Sequence, residues 1–502
     1  MREPESLPQY DSGKVERVEL PTEHEDVIGA DWKYDFIPVE SRVFSDYELC
    51  TVGEKGNIWM GKNARNRIEN SRKGDSLYVG YTEQDGKIRD LSIDYEALSE
   101  HVALFGQSGY GKSTLMRNML LQLINSGHGV CYIDPKGDDS NMLMNQIPSE
   151  RTEDVVWIEP GSDRDSQVGF NIFETALEED SENYEEEVSR ISGDFVALID
   201  ESNDWSSDVR NILEDIVERL IYSRDDANPT DLLKVLNLIV GNDDSFSERF
   251  VKLKQRYDEV LDNSLMMRFA NQGDWKFGDA LKRLRQIIRS RPSRSIIASK
   301  NSETMIKDAV EDDKLLVVNT SNIQSAPLKE FVTKAIVYKV WSGIEFKQGT
   351  GGEQYFLCID ELDKILGKHS RMARIARQSE SSRLSLVVAN QQPSQLPEEV
   401  RDALTEFGSL VSLNPGLNPR DQQEIAQILG GIESWKLSNL DKFQTASCIQ
   451  KNGSRQDSIL MGTYPEYPRL RGSREAEKVI KDSIDKNAGN PDRYLGDDIQ
   501  LL

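Results

Sequence analysis

Residues 102–114 read VALFGQSGYGKST, and this stretch decides the fold of the 502-residue chain. Its first four residues are apolar and predict a buried strand, and a helix is predicted from about Thr114 onward. Between them lies the pattern G-x-x-x-x-G-K-S, whose glycines let successive backbone N–H groups point at phosphate oxygens. The N-terminus of the helix adds partial positive charge at the same place. The stretch therefore predicts a phosphate-binding loop, with an ordinary glycine-rich turn as the alternative.

The side chains of this loop have distinct expected roles. Lys112 is expected to neutralise the β- and γ-phosphates, Ser113 to hold Mg²⁺ and Thr114 to contact the α-phosphate. Tyr110 stands where small residues are more common, which requires a modest accommodation of the loop. The candidate nucleotide-binding residues are Gly106, Gln107, Ser108, Gly109, Tyr110, Gly111, Lys112, Ser113 and Thr114.

An acidic pair much later in the chain fits this loop. Residues 355–361 read YFLCIDE, five apolar residues followed by two carboxylates. A buried strand would deliver Asp360 to its carboxyl end as a Mg²⁺ ligand and Glu361 as the residue that polarises the attacking water. Strands also often end in acidic turns, which is the alternative. The upstream phosphate-binding loop favours the catalytic interpretation.

A run of polar amides follows the next strand-like segment. Residues 384–389 are mostly apolar and lead into Asn390, Gln391 and Gln392. An amide at the carboxyl end of a strand beside the acidic strand can report whether the γ-phosphate is present, and Gln391 is the candidate. The alternative is an Asn-Gln pair that caps a turn.

Short apolar runs recur along the chain and predict a doubly wound, mainly parallel α/β core. They lie at residues 101–105, 130–133, 155–158, 315–318, 355–359 and 384–388. A hairpin is predicted around Gln84, Asp85 and Gly86. Apolar residues at helical spacing between Val209 and Ile221 predict an all-helical insertion. The predicted divisions are an accessory region at 1–75, core parts at 76–174 and 291–470, the insertion at 175–290 and a tail at 471–502.

The composition is strongly acidic. Lys and Arg number 61 against 87 Asp and Glu, a formal net charge of −26, and 37% of residues are hydrophobic. Such a solvated surface is typical of proteins from a salt-loaded cytoplasm, and an ordinary acidic cytosolic protein is the alternative. The cysteine and histidine spacings predict reduced core thiols and no zinc site. No signal-like or membrane-spanning apolar run is found, so we expect a cytoplasmic location.

Taken together, these motifs resemble those of the HerA/FtsK superfamily of motors, and particularly the TraG/TraD-type coupling ATPases of type IV secretion and conjugation. The resemblance covers about residues 76–465. It rests on collinear stretches at 76–138, at 155–174, LLVVNTSNIQ at 315–324, YFLCIDELDKI at 355–365 and LSLVVANQQPSQLPEEVRDAL at 384–404.

This resemblance implies a RecA-like P-loop core that assembles as a ring, usually a hexamer, and hydrolyses ATP to move DNA through its channel. It assigns nucleotide binding to the loop around Lys112, metal and water to Asp360 and Glu361, and the sensor to Gln391. The implied partners are DNA, further copies of the chain, and membrane secretion or relaxase proteins. Coupling proteins begin with membrane-spanning helices, which this sequence lacks, so recruitment to a membrane would depend on a partner.

Motors of this group also supply an arginine from a neighbouring subunit to the γ-phosphate. The candidates between the acidic strand and the sensor strand are Arg371, Arg374, Arg377 and Arg383. We favour Arg377, with Arg383 second. A solvated helix face is the alternative for any one of them.

A basic cluster is the candidate DNA contact. It contains Lys282, Arg283, Arg285, Arg289, Arg291 and Arg294. A helix would place Lys282, Arg285 and Arg289 on one face that could track phosphates, or that could be a solvated or subunit-contact face.

Two other functions are compatible with the motifs. One is a secretion or assembly motor that acts on proteins, and the other is a nucleotide-regulated scaffold with negligible hydrolysis. The chain has no N-K-x-D guanine-reading motif, which favours ATP as the nucleotide.

Overall fold

The structure is a computed structural model. It describes residues 51–52, 58–59, 76–84, 87–162, 168–175, 177–200, 204–240, 255–272, 274–289, 306–345, 354–364, 377, 383–451, 454–464, 466–467 and 469–487. Most of the predicted accessory region lies outside these residues, apart from β1 (Thr51–Val52) paired with β2 (Ile58–Trp59). The candidates Arg291, Arg294, Arg371 and Arg374 also lie outside the described residues.

In the described part of the chain, one sheet of eleven strands organises the fold. Its strands are β3 (Ser76–Gln84), β4 (Lys87–Asp94), β5 (Val102–Phe105), β6 (Val130–Asp134), β7 (Val155–Ile158), β8 (Leu315–Asn319), β9 (Tyr355–Ile359), β10 (Leu384–Asn390), β11 (Ser409–Ser412), β12 (Gln444–Cys448) and β15 (Ile459–Gly462). A small separate hairpin joins β13 (Gln450–Lys451) to β14 (Ser454–Arg455).

The sheet has a parallel part and an antiparallel part. Its spatial order is β4-β3-β15-β12-β11-β5-β10-β9-β6-β8-β7. The strands from β11 to β7 are parallel to their neighbours, and β12, β15, β3 and β4 pair antiparallel. The predicted mainly parallel α/β core is therefore confirmed, and each strand-like run of the sequence lies in its parallel part.

Helices cover the sheet. They are α1 (Lys112–Asn125), α2 (Asp138–Met144), α3 (Tyr184–Ile199), α4 (Ser207–Ser223), α5 (Pro229–Val240), α6 (Asn263–Gln272), α7 (Gly278–Arg289), α8 (Ile306–Glu311), α9 (Ala326–Glu345), α10 (Glu398–Thr405), α11 (Pro419–Leu429), α12 (Ser434–Ser438) and α13 (Ser473–Asn487).

The two faces of the sheet bury separate hydrophobic clusters, because successive strand residues point to opposite sides. Leu104 and Tyr132 pack in one cluster with α1, α2 and α13. Phe105 and Ile133 pack in the other with α3 to α11. With apolar side chains covered on both faces, continuous apolar runs are what these strands require.

The helices between β7 and β8 follow the predicted pattern. In α4 the apolar residues from Val209 to Ile221 are all buried, and the helix begins after Ser206, whose hydroxyl accepts from the backbone N–H of Val209. These helices share their hydrophobic cluster with the sheet face and with α9. The predicted division of the chain into domains stays a prediction.

The hairpin prediction is confirmed at the level of the strands. β3 pairs antiparallel with β4, and Gln84 lies opposite Lys87. Through β15, this hairpin joins the parallel part of the sheet. The turn residues 85–86 are outside the described residues.

Three of the four cysteines lie among the described residues. Cys131, Cys358 and Cys448 are free and buried, and burial raises the pKa of all three thiols above its ordinary value.

Among the described helices, none is both long and apolar enough to span a membrane.

Candidate nucleotide-binding site

The candidate site lies at the carboxyl ends of neighbouring parallel strands. β10 pairs with β5, Asn390 opposite Phe105, and with β9, Val388 opposite Ile359. β6 pairs with the other side of β9. Because parallel strands end at the same edge of a sheet, the loops after β5, β6, β9 and β10 meet there. The strand order thus brings together motifs that are far apart in the sequence.

The start of the phosphate-binding loop is fixed by the two strands that flank β5. The backbone N–H of Gly106 donates to the carbonyl of Asn390 at 3.2 Å, and that of Gln107 donates to the carbonyl of Asn414 at 2.9 Å. The loop therefore leaves the sheet at a defined point between β10 and the segment after β11.

Positive φ angles shape the rest of the loop. Gly109 has φ +87° and Gly111 has φ +106°, a region that L side chains rarely adopt. At Gly111 an added Cβ would also lie 2.5 Å from Cδ1 of Phe443. The backbone N–H of Phe443 in turn donates to the carbonyl of Tyr110 at 3.0 Å. Glycine at 111 is thus required both by the backbone angle and by the aromatic ring against it.

The predicted nucleotide-binding residues form one continuous segment, a loop over 106–111 that leads into the first residues of α1. Ser108 and Gly109 are exposed, and Lys112 is buried at the beginning of the helix. The partly buried members of the set are Gln107, Tyr110, Gly111, Ser113 and Thr114.

The lysine of the loop contacts both predicted carboxylates. Lys112 Nζ lies 2.5 Å from Asp360 Oδ1 and 3.6 Å from Glu361 Oε1. Ser113 Oγ donates to Asp360 Oδ2 at 3.2 Å. The side chains of Lys112, Asp360 and Glu361 are only 4%, 1% and 1% exposed. Charges with so little contact with water interact strongly, and each is costly to bury without its partner, so the three side chains depend on one another.

The Glu361 carboxylate contacts side chains that follow two further strands. Its Oε1 accepts from Lys136 Nζ at 2.7 Å, and Gln391 Nε2 lies 3.3 Å from Oε1 and 3.1 Å from Oε2. Burial would raise the pKa of Glu361, but the hydrogen bond from Lys136 and the charges of Lys112 and Lys136 outweigh burial and lower the pKa. The backbone of Glu361 has φ +52°, an angle that costs energy for a residue with a side chain.

Sequence reasoning missed Lys136. It follows β6 in the segment DPKGD, where the Asp134 carboxylate accepts from the backbone N–H groups of Lys136 at 2.9 Å and of Ser140 at 2.8 Å. Asp134 thereby fixes the turn that presents Lys136 to Glu361 and that begins α2. Polar residues directly after a predicted parallel strand were the available signal, the same one that identified Gln391.

The oxygen donors at Ser113 and Asp360 are the kind that Mg²⁺ binds. In the part of the chain that the structure describes, no group of three or more His, Cys, Asp or Glu residues is arranged to hold a metal ion. Mg²⁺ beside Ser113 and Asp360 would therefore take most of its ligands from phosphate oxygens and water, which is its usual mode next to a nucleotide. The residues present fit that ion.

The candidate arginines are not gathered at this site. Arg377 is exposed and its Nε lies 3.5 Å from Glu406 Oε2. Arg383 directly precedes β10, at the amino end of the strand, whereas Asn390 at the carboxyl end adjoins the phosphate-binding loop. Among the described residues, neither arginine contacts Lys112 or Glu361.

The predicted basic face is present on α7. Lys282, Arg285 and Arg289 are exposed, opposite the buried Leu281, Leu284 and Ile288. Arg285 also donates to Asn237 Oδ1 at 2.6 Å but stays exposed. Arg283 differs in being half-buried, with its guanidinium donating to the carbonyl of Ile199 at 3.1 Å and lying over the ring of Trp205.

Comparison with known proteins assigns the chain to a family. Residues 77–340, more than half of the chain, match the family described as Helicase HerA, central domain. No curated protein matches the chain.

Solved structures share the fold. The bacterial conjugative coupling protein TrwBdeltaN70 is 16% identical, with a TM-score of 0.53 over 81% of this chain and 94% of that chain. TrwB in complex with ADP and Mg²⁺ is 15% identical over the same shares, also with a TM-score of 0.53. VirB4 of Thermoanaerobacter pseudethanolicus is 15% identical, with a TM-score of 0.53 over 78% of this chain and 97% of that chain. The likeness confirms the predicted RecA-like fold.

Proposed function

This chain belongs to the family described as Helicase HerA, central domain, and on that premise we propose that it is a P-loop ATPase of the TraG/TraD type, an ATP-hydrolysing ring motor that moves DNA. The observation that carries the proposal is the contact of Lys112 with Asp360 and Glu361 at the edge of the sheet. It joins a phosphate-binding loop to the two carboxylates that hydrolysis needs.

We assign the steps to side chains as follows. The N–H groups of the loop and Lys112 bind and orient the phosphates, and Thr114 contacts the α-phosphate. Ser113 and Asp360 would hold Mg²⁺, which when bound supplies neutralising charge at the phosphate oxygens. Glu361 accepts a hydrogen bond from the attacking water and takes its proton. Gln391, which contacts Glu361, reports the γ-phosphate to that residue.

ATP and Mg²⁺ are supported by the relatives. TrwB has been solved in complex with ADP and Mg²⁺ and in complex with a non-hydrolysable ATP analogue. Its fold is shared over most of both chains. We therefore propose Mg²⁺-dependent ATP hydrolysis for this chain as well.

A ring of copies would bring an arginine of one subunit to the nucleotide site of the next. Arg377 is exposed and lies outside the cluster around Lys112, so we propose that it serves the site of the neighbouring subunit in a hexamer. An arginine given to the γ-phosphate from outside stabilises charge as it develops during transfer.

The exposed face of α7 is the proposed DNA contact. Lys282, Arg285 and Arg289 present positive charge without burial, as contacts to a phosphate backbone require. The net charge of −26 implies that binding depends on local potential and on encirclement by several copies. We place the chain in a salt-loaded cytoplasm, where secretion or relaxase proteins at the membrane could recruit it.

One observation favours a second candidate. The net charge of −26 opposes binding of a polyanion, and it would not oppose a protein substrate. A motor that acts on proteins is therefore the competing function.

One experiment separates these functions. ATP hydrolysis by the purified chain is measured in molar KCl with Mg²⁺, with and without duplex or single-stranded DNA, beside Lys112→Ala. We expect hydrolysis by the parent chain, stimulation by DNA and no hydrolysis by the variant. Hydrolysis that is lost in Lys112→Ala but does not respond to DNA favours the motor that acts on proteins. If the parent chain does not hydrolyse ATP, the nucleotide-regulated scaffold is favoured.

A further inference from the structure

The carboxylate of Glu361 is held by side chains from three separate parts of the fold. Lys136 from the turn after β6 donates to Oε1 at 2.7 Å, Gln391 after β10 contacts both oxygens, and Lys112 of α1 lies 3.6 Å from Oε1. A general base needs one of these oxygens aimed at a water molecule. The contact from Lys136 is the shortest of the three. Lys136 is also the one of the two positively charged partners that lies outside the phosphate-binding loop.

The Lys136 side chain can leave Glu361 without any change in the backbone. It is 45% exposed, whereas Glu361 is 1% exposed. The turn that carries it is fixed independently, because Asp134 accepts from the backbone N–H of Lys136 and Lys329 of α9 donates to the carbonyl of Pro135 at 3.0 Å. A long, flexible ammonium side chain on a rigid turn is suited to make and break one ion pair.

This contact bears directly on the rate of hydrolysis. A carboxylate oxygen that accepts from an ammonium group is occupied by that donor, and its orientation is set by the donor rather than by the water. We propose that Lys136 is a positioning residue that restrains Glu361, so that ATP hydrolysis stays slow until the Lys136–Glu361 contact is released. This proposal rests on the proposed function.

Release can come from a stronger anionic partner for Lys136. The exposed ammonium group can exchange the carboxylate for a phosphate of DNA, since lysine binds phosphate as a point charge. Stimulation of hydrolysis by DNA would then pass, at least in part, through this ion pair. The carboxylate of Glu361 would retain the amide of Gln391 and turn one oxygen to the water.

The test uses three variants of the full chain. Lys136→Met removes the ion pair, Lys136→Arg retains a donor, and Lys364→Met is the charge-matched control. Lys364 is exposed, lies three residues after Glu361 in the sequence, and makes a backbone contact with its carbonyl. Its side chain has no assigned role at the site.

The first readout needs no nucleotide and no activity. Amide hydrogen exchange is followed in the short helical turn Leu362–Lys364, whose last N–H donates to the carbonyl of Glu361 at 2.9 Å. Exchange is compared as protection relative to the intrinsic rate of each sequence, because the Lys364 substitution lies within the measured turn. We expect lower protection there in Lys136→Met, and protection as in the parent chain in Lys136→Arg and Lys364→Met. Equal protection in all four proteins would overturn the restraint.

The second readout is steady-state ATP hydrolysis with and without duplex DNA. We expect Lys136→Met to raise kcat without DNA by about fivefold, the rate equivalent of one net hydrogen bond. KM should stay near that of the parent chain, and the ratio of DNA-stimulated to unstimulated kcat should fall. Lys136→Arg should restore slow unstimulated hydrolysis.

The outcomes separate the two proposals. If the parent chain hydrolyses ATP and Lys136→Met is as slow or slower without DNA, the restraint is wrong and the motor stands. If the parent chain does not hydrolyse ATP at all, the motor itself is wrong and the restraint falls with it. A loss of fluorescent-nucleotide binding by Lys136→Met would show a structural role and would also overturn the restraint.

Discussion

Ser113 Oγ and Asp360 Oδ2 lie 3.2 Å apart although 247 positions separate the two residues in the sequence. Ser113 lies in the first turn of α1 after β5, and Asp360 follows β9, with β10 paired between the two strands. Their contact therefore depends on the correct order of three parallel strands. A chain that fails to complete this part of the sheet cannot form the site, so nucleotide binding should stabilise the fold by mass action.

The two glycines of the phosphate-binding loop should respond differently to alanine. Gly109→Ala meets open space and should cost only about 1–2 kcal/mol of strain for its positive φ. Gly111→Ala adds a contact at 2.5 Å with the Phe443 ring and should cost more stability and nucleotide affinity. The double variant Gly111→Ala with Phe443→Ala should recover part of the loss. Thermal unfolding and fluorescent-nucleotide titration check the order, and equal losses at the two glycines would contradict it.

Asp360→Asn should weaken the response to Mg²⁺. We expect the Mg²⁺ concentration for half-maximal hydrolysis to rise by about tenfold or more, because an amide oxygen carries no charge for the ion. Asp363→Asn is the matched control: its backbone N–H donates to Asn390 Oδ1, and its Oδ1 has no hydrogen-bond partner among the described residues. A Mg²⁺ response that moves equally in both variants would remove Asp360 from the proposed metal site.

Lys339 of α9 predicts a pH dependence of stability. Burial lowers the pKa of its ammonium group from 10.5 to about 8, and the group donates to the carbonyl of Glu174. Between pH 8 and 10.5 the unfolded chain holds this proton more tightly than the folded chain, so this contribution to the free energy of unfolding rises with pH. Below pH 8 the Lys339 amine is protonated in both the folded and the unfolded chain, and burial of the charged group then lowers the free energy of unfolding by its full amount.

The variant Lys339→Met isolates that contribution from all other groups. Relative to the parent chain, it should gain stability at pH 7.5 and lose part of that advantage at pH 9.5, by on the order of 1 kcal/mol. Denaturant unfolding at the two pH values measures the difference. An advantage that is constant across this range would show that the Lys339 ammonium group titrates normally.

The basic face of α7 should control DNA affinity and its salt dependence. Replacing Lys282, Arg285 and Arg289 with glutamine should weaken DNA binding and reduce the slope of log K against log salt by roughly 0.9 per lost phosphate contact. Arg283→Gln is the control from the same helix, since Arg283 contacts Ile199 and Trp205 and should affect stability instead. An unchanged salt slope in the triple variant would place the DNA contact elsewhere.

Much of the parallel core could be predicted because its signals are local. The strand before the phosphate-binding loop, the glycines at 109 and 111, and the acidic pair after β9 each have a short-range cause in the backbone or in burial. Contiguous apolar runs indicated strands buried on both faces, and the strand pairing brings Lys112 to Asp360 and Gln391 to Glu361.

Other parts could not be predicted for a physical reason. β11 and β12 read SLVS and QTASC, and their small polar residues are buried against neighbouring strands rather than marked by hydrophobicity. The contact between Lys136 and Glu361 joins residues 225 positions apart and depends on the placement of β6 beside β9. The arginine for a neighbouring subunit depends on contacts between copies, which no pattern within one chain specifies.

The most direct test of the account is ATP hydrolysis by Glu361→Gln beside the parent chain, with fluorescent-nucleotide binding measured on both. The amide keeps the shape of the side chain and can still accept from Lys136, but it cannot take a proton from water. We predict nucleotide affinity within about twofold of the parent chain and a kcat lower by about a hundredfold or more. Turnover by Glu361→Gln equal to that of the parent chain would contradict the assignment of Glu361 and the hydrolytic site built around it.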